Sequence, residues 1–269
     1  MKPSGGITED LIGRLGGAER LGVLTGAGVS RESGVPTFRG EDGLWRQYRA
    51  EELATSDAFE RDPVLVWQWY EYRRQIVAEA SPNPAHEAIA KLEAAYEPFV
   101  LVTQNTDGLH GRAGSSDPIE LHGSIWRGRC TKEQLVFDLS ETPLPEIPPL
   151  CERCGALLRP DVVWFGEPLP SRAYDASYEA ASECDAMLVV GTSAVVRPAA
   201  SLPLVAKHAG AIVVEVNTQY TAISALIDAT ILGKAGETVP TLVEALLETR
   251  GSGGSPQAEG RGVTGRARS

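Results

Sequence analysis

The chain has 269 residues with 25 basic and 36 acidic side chains, a formal charge of −11, and is 42% hydrophobic and 23% charged. This is ordinary globular composition, enough for a buried core in one large or two small domains, and it excludes a disordered chain. No run approaches the roughly 18 apolar residues of a membrane span, four Cys are too few for a disulfide scaffold, and the acidic balance argues against a nucleic-acid binder. The N-terminus MKPSGGITEDLIGRLGG lacks a basic-then-apolar signal pattern, so a cytoplasmic location is expected.

In chain order, short apolar runs at 21–24, 99–103, 186–190 and 211–216, with a weaker one at 228–232, read as buried parallel strands. Helical patterns fall between and after them, at 63–80, 84–95, 172–183, 199–208 and 238–248. Strands alternating with helices predict an α/β layer with a mostly parallel sheet. Two segments break the alternation, 40–80 and the Pro- and charge-rich 126–160, and both read as excursions forming a second, smaller domain. The tail 250–269 is rich in Gly and Arg and is expected to be disordered.

The first strand runs into Gly26-Ala27-Gly28-Val29-Ser30-Arg31-Glu32-Ser33-Gly34. Glycines there let a backbone approach a diphosphate, and a following helix would aim its amides at the anion. A tight strand–helix turn would look the same. Arg31 stands where a dinucleotide fingerprint has its third Gly, and no acidic residue ends a second strand about 20 residues on, so the usual hydride-transfer dehydrogenase does not fit.

The strand at 99–103 ends in Gln104-Asn105-Thr106-Asp107-Gly108-Leu109-His110, and Glu120-Leu121-His122-Gly123-Ser124 follows. Amides and a carboxylate at a strand's C-terminal end can hold a carboxamide and a ribose, although Asn and Asp also favour plain turns. His122 is a candidate general base, because imidazole titrates near pH 6.5. His110 reads as structural, and His86 and His208 as bland helix residues.

With Pro160-Asp161-Val162-Val163-Trp164-Phe165-Gly166-Glu167, Gly191-Thr192-Ser193 and Val216-Asn217-Thr218, these motifs resemble, in order, the sirtuin family of NAD-dependent protein-lysine deacylases over roughly residues 20–248. The resemblance implies a Rossmann-like sheet with helices on both faces and a smaller domain, helical and zinc-ribbon-like, built from two insertions. On that reading, 1–249 is the catalytic domain. Residues 1–40, 84–125 and 160–249 form its NAD-binding part, and 41–83 and 126–159 its small domain. The resemblance also implies the reaction: the acyl oxygen attacks the nicotinamide-bearing ribose carbon, nicotinamide leaves, a base activates a ribose hydroxyl, and lysine and O-acyl-ADP-ribose are released. His122, Asn105 and Asp107 would be catalytic. NAD would meet Gly26, Ala27, Gly28, Ser30, Phe38, Arg39, Trp45, Gln104, Asn105, Asp107, Gly191, Thr192, Ser193, Asn217 and Ala235. Val163, Phe165, Gly166 and Glu167 would pair with the acylated substrate peptide by strand addition, or simply form a buried strand and turn.

Sirtuins commonly hold a structural zinc with two Cys-x-x-Cys pairs. Here Cys151-Glu152-Arg153-Cys154 is complete, but the first pair is Cys130-Thr131-Lys132-Glu133. Either three thiolates and the Glu133 carboxylate bind zinc, or the site has decayed and packing holds the loop. Cys184, next to a main-sheet strand, reads as a packed small hydrophobe.

In the helix at 63–80, Trp69, Tyr70, Ile76 and Val77 surround Arg73. That Arg could snorkel or pair with a carboxylate. Tyr70-x-x-Arg73 resembles instead the pair that defines class III sirtuins, which remove succinyl and malonyl groups, and the small Ala50 and Ala54 stand where that class leaves room. The rivals are a sirtuin that mainly deacetylates or transfers ADP-ribose, and a non-catalytic NAD- or ADP-ribose-binding module. Intact Asn105, Asp107 and His122 argue against the module.

Overall fold

The computed structural model describes residues 6–36 and 50–252. Phe38, Arg39 and Trp45 lie outside the described residues, as do the side chain of Ala50 and the chain from 253 on.

Helix α1 (Glu9–Gly16) opens the described chain, with the Thr8 hydroxyl accepting from the Leu11 N–H as its cap. Strand β1 (Leu21–Thr25) leads through the glycine loop into a single 3₁₀ turn, Arg31–Ser33. Helices α2 (Ala50–Leu53), α3 (Ser56–Arg61) and α4 (Pro63–Glu79) follow, the last capped by Asp62 with Pro63 in its first turn. Helix α5 (Pro84–Ala95) starts in a capping box between Asn83 and His86. Next come β2 (Phe99–Thr103), the short α6 (Leu109–Arg112), β3 (Ile119–Glu120), and the strands of the second excursion, β4 (Gly123–Cys130), β5 (Val136–Asp138) and β6 (Leu158–Val162). The chain ends in α7 (Ser171–Glu183), β7 (Ala186–Val190), α8 (Leu202–His208), β8 (Ile212–Asn217), β9 (Ala229–Leu232) and α9 (Ala235–Ser252).

Six strands form one parallel sheet in the order β3-β2-β1-β7-β8-β9. The first three run outward from β1 on one side, and the chain then returns to build the other side from β7. Loops leaving β1 and β7 thus diverge at the centre, the place where open α/β sheets bind ligands. Alternate residues feed opposite faces. Val23, Leu188 and Val214 pack with α1, α5 and α9, whereas Leu24, Val189 and Val213 pack with α7 and α8.

A second core lies around α2–α4 and the antiparallel sheet β5-β4-β6. Trp67 is fully buried there and donates its indole N–H to the Leu158 carbonyl at 2.7 Å. Arg74, also without exposed surface, donates to the Ile125 carbonyl at 2.7 Å and to Glu71 at 3.0 Å, tying α4 to β4. Pro160 sits inside β6, which is tolerable because β6 is an edge strand.

The expected tail boundary at 250 is too early. Helix α9 runs to Ser252, and Arg250 stacks on Tyr96 with 4.0 Å to the ring centroid while donating to the Ala18 carbonyl at 2.8 Å. Among the described residues no helix is long and apolar enough to cross a membrane.

Candidate active site

A cavity of about 430 Å³ opens at the C-terminal ends of the main strands. Gly26, Ala27 and Gly28 after β1, Gln104 and Asn105 after β2, Gly191, Thr192 and Ser193 after β7, Asn217 at the end of β8 and Ala235 at the start of α9 all line it. The two central loops meet through backbone at Gly28: its N–H donates to the Gly191 carbonyl at 2.8 Å, and a Cβ on Gly28 would come within 2.6 Å of that oxygen. Only glycine permits the approach. Thr192 joins the loops, its hydroxyl accepting from the Gln104 amide at 2.9 Å and its carbonyl from the Asn217 amide at 2.7 Å.

Ser30 and Asp107 lie behind this wall. The Ser30 hydroxyl donates to Asp107 at 2.7 Å and accepts from the Asn105 amide at 3.0 Å. The second Asp107 oxygen accepts from the Leu109 N–H at 3.0 Å. Asp107 thereby orients Asn105, which faces the cavity. His86, read as bland, belongs to the same network. Its Nδ1 accepts from the Asn83 N–H at 3.2 Å, so Nε2 carries the proton toward Ser30, 3.3 Å away. His110 packs edge-on against His86, with its Nε2 2.9 Å from the Thr25 hydroxyl.

Burial holds the pKa values of both His86 and His110 below the ordinary 6.5. Above pH 6.5 both folded and unfolded chains carry these rings neutral, and they do not change stability. As pH falls through 6.5 the unfolded chain takes up protons that the folded one refuses, so stability falls until the folded pKa values are reached. Unfolding free energy is therefore expected to drop between pH 6.5 and 5, by up to about 1.4 kcal/mol per pH unit for each such ring. Urea titrations across that range check this, and a flat profile would contradict it.

His122 lies between β3 and β4 and lines the cavity. Its Nδ1 is 2.9 Å from the Gln104 carbonyl, which can only accept, so Nδ1 carries the proton and Nε2 is left as the basic atom. Burial lowers its pKa below 6.5, outweighing the bond to Gln104, so the ring is neutral at neutral pH. The next residue must be glycine: Gly123 has φ +76°, and a Cβ there would overlap the Asp161 carbonyl oxygen across the β4–β6 pairing.

The opposite wall comes from the second core. Ala54, Tyr70, Val163, Trp164, Phe165, Gly166 and Glu167 line it. The Trp164 indole donates to the Tyr70 hydroxyl at 3.0 Å. Burial raises the Tyr70 pKa, so the phenol stays protonated and can still give its own proton. Arg73 stands one helical turn on, half-buried, its guanidinium 5.3 Å from the Trp69 ring centroid. Burial pulls its pKa below the ordinary value. Glu167 forms a forked pair with Arg159 at 2.6 and 2.9 Å, which with the Trp164 N–H holds its pKa down despite burial. The N–H groups of Val163, Phe165 and Glu167 are already bonded within the chain, to the carbonyls of His122, Ala54 and Trp164.

The Sir2 family model matches residues 26–198 of this chain. NAD-dependent protein deacylase 2 of Pyrobaculum aerophilum is 58% identical over 231 residues, covering 85% of this chain and 92% of that one. The chain belongs to the Sir2 family. A crystal structure of a Sir2 homologue–NAD complex is 45% identical, with TM-score 0.89 over 93% of this chain and 98% of the other. A Sir2 bound to acetylated peptide is 30% identical, with TM-score 0.79 over 89% and 98%.

In this Sir2 chain the thiol sulfurs of Cys130, Cys151 and Cys154 lie within 4.8 Å of one another. Glu133 is not part of that cluster. Its backbone N–H donates to the Cys130 sulfur at 3.3 Å, while its carboxylate faces the Arg153 guanidinium at 3.7 Å. Cys184 is buried beside Gly22 and Met187 of the main sheet, away from the cluster. Sequence reasoning passed over Arg31, Thr106, Val196 and Arg197, which also line the cavity. Only their proximity to the glycine loop and to the strand ends could have flagged them.

Proposed function

We propose that this protein is an NAD-dependent protein-lysine deacylase that prefers succinyl- and malonyl-lysine and also accepts acetyl-lysine. The observation that carries the reading is His122: a neutral imidazole on a cavity wall, with Nδ1 locked to the Gln104 carbonyl and Nε2 left to take a proton. The glycine loop, Thr192 and Asn217 form the wall suited to the ADP-ribose portion of NAD. NAD would supply, when bound, the ribose carbon that the acyl oxygen attacks, nicotinamide as leaving group, and the ribose hydroxyl that receives the acyl group. Asn105, oriented through Ser30 and Asp107, offers its amide beside His122. The relatives' NAD-dependent deacylase activity and their complexes with NAD and an acetylated peptide support this.

On the acyl side, Tyr70 and the small Ala54 line the cavity, where Tyr70 can donate from its phenol; Arg73 is not among the lining residues but stands one helical turn from Tyr70, and its guanidinium would have to reach the acyl group from there. Main-chain pairing with a substrate peptide would use groups of Val163–Glu167 other than the N–H groups of Val163, Trp164, Phe165 and Glu167, which are already bonded. Free Cys thiols fit a reducing compartment such as the cytoplasm. The test is nicotinamide release from NAD in the presence of acyl-lysine peptide. Release that needs both supports the reading, and binding of NAD without turnover would reduce the protein to a nucleotide-binding module.

The three clustered thiols suit a zinc ion, which would clamp the β4 end to the 151–154 turn without entering the reaction. Purified protein is expected to carry about one equivalent of zinc, and a chelator to lower its Tm. Residue 133 already sits at the close of the Cys130 turn, so Glu133→Cys is expected to tighten binding by adding a fourth thiolate. Metal analysis and melting curves check both; metal-free protein with unchanged Tm would show that packing alone holds the loop.

A further inference from the structure

Glu215, on β8, is a carboxylate in the main sheet that the site so far leaves without a role. It is fully buried and in register with Thr230 of β9. One of its oxygens accepts from the Thr221 hydroxyl at 2.6 Å. The other accepts from the hydroxyls of Ser224 and Thr230, the latter at 3.1 Å. Ser224 in turn accepts from the Thr221 N–H at 2.8 Å. Taking a carboxylate out of water is costly, and an apolar side chain would fill this place without that cost. What the carboxylate adds is direction: a fully bonded polar cluster specifies one geometry, where apolar packing tolerates several.

The geometry it fixes is next to the cavity. Thr230 belongs to the sheet, but Thr221 and Ser224 belong to the segment 218–228 that joins β8 to β9. That segment begins with Thr218 and Gln219, which line the cavity beside Asn217, two residues from Glu215. We infer that Glu215 is a positioning residue: by binding Thr221 and Ser224 it holds the Asn217–Gln219 edge of the cavity in place and so sets the affinity for the ADP-ribose part of NAD. This rests on the cofactor reading above.

The experiment measures ADP-ribose affinity by calorimetry, together with KM for NAD, kcat and Tm, for the unaltered protein, Glu215→Ala, Glu215→Gln and Ser224→Ala. Glu215→Ala is expected to weaken ADP-ribose binding and raise KM for NAD about tenfold, with kcat at saturating NAD changing much less. Ser224→Ala should follow in the same direction more weakly. Glu215→Gln, which keeps the shape and one acceptor oxygen, should recover part of the loss. A lower Tm with unchanged affinity and KM would make Glu215 a purely structural residue and overturn the inference. If Glu215→Ala does not fold, Ser224→Ala decides, and unchanged affinity there overturns it equally. Failure of the unaltered protein to bind ADP-ribose would instead remove the cofactor reading, and this inference with it.

Discussion

His122→Ala is expected to lower deacylation by about 10²-fold or more, the usual contribution of a general base, while leaving Tm near that of the parent. Among the described residues the side chain makes one hydrogen bond, to the Gln104 carbonyl, and its removal leaves that acceptor to be met by water at the cavity wall. The same geometry fixes the pH dependence. The neutral ring is the active form, and burial holds its pKa below 6.5. Deacylation should therefore persist as pH falls through 6.5 and decline only as the lower, folded-state pKa is passed. Steady-state rates against pH for the parent, and a single-pH comparison with His122→Ala and His122→Gln, check both statements. Near-parental turnover in His122→Ala would sink the assignment.

The second large effect concerns Arg73. On the proposed reading a succinyl or malonyl group would carry a carboxylate toward the wall formed by Ala54, Tyr70 and Trp164, and an unpaired charge there would cost several kcal/mol. Arg73 offers a forked pair of donors, and the Tyr70 oxygen already accepts from Trp164, leaving the phenol proton to give. Arg73→Met is expected to cost roughly 2–4 kcal/mol in kcat/KM for succinyl-lysine, or about 30- to 1000-fold. Acetyl-lysine makes no such contact, so its kcat/KM should change far less. Tyr70→Phe should follow in the same direction more weakly, since the ring and its edge-on packing against Trp69, 4.7 Å between centroids, are kept. The deciding quantity is the ratio of the two substrates, because a folding defect lowers both together. Equal losses on both would make Arg73 structural.

Apart from the two-residue β3, Ile119–Glu120, the parallel sheet was legible because its strands are apolar runs, and the bounds of β2, β7 and α5 agree with the sequence pattern. So was the ring of loop residues around the cavity, since each follows a strand end. The antiparallel sheet was not. Strand β4, Gly-Ser-Ile-Trp-Arg-Gly-Arg-Cys, mixes polar and apolar residues without clean alternation, and Pro160 reads against a strand. Helix α1 had its signals in Thr8, Glu9 and the Leu11, Ile12, Leu15 stripe, but at 8 residues it is too short to stand out. Pro240 reads as a first-turn residue, which hid the three residues of α9 before 238. Tertiary hydrogen bonds were the least legible. The Gln104 carbonyl that sets the His122 tautomer, the Ser30 link that puts Asp107 behind the wall, and the turn of Glu133 toward Arg153 depend on chain segments far apart in sequence.

The most direct test of the proposed chemistry is the product balance of the unaltered protein with NAD and a succinyl-lysine peptide, read by mass spectrometry. The account predicts free-lysine peptide, nicotinamide and O-succinyl-ADP-ribose in equal amounts, with none formed when NAD is omitted. Free succinate released without NAD consumption, or ADP-ribose attached to the peptide itself, would contradict it.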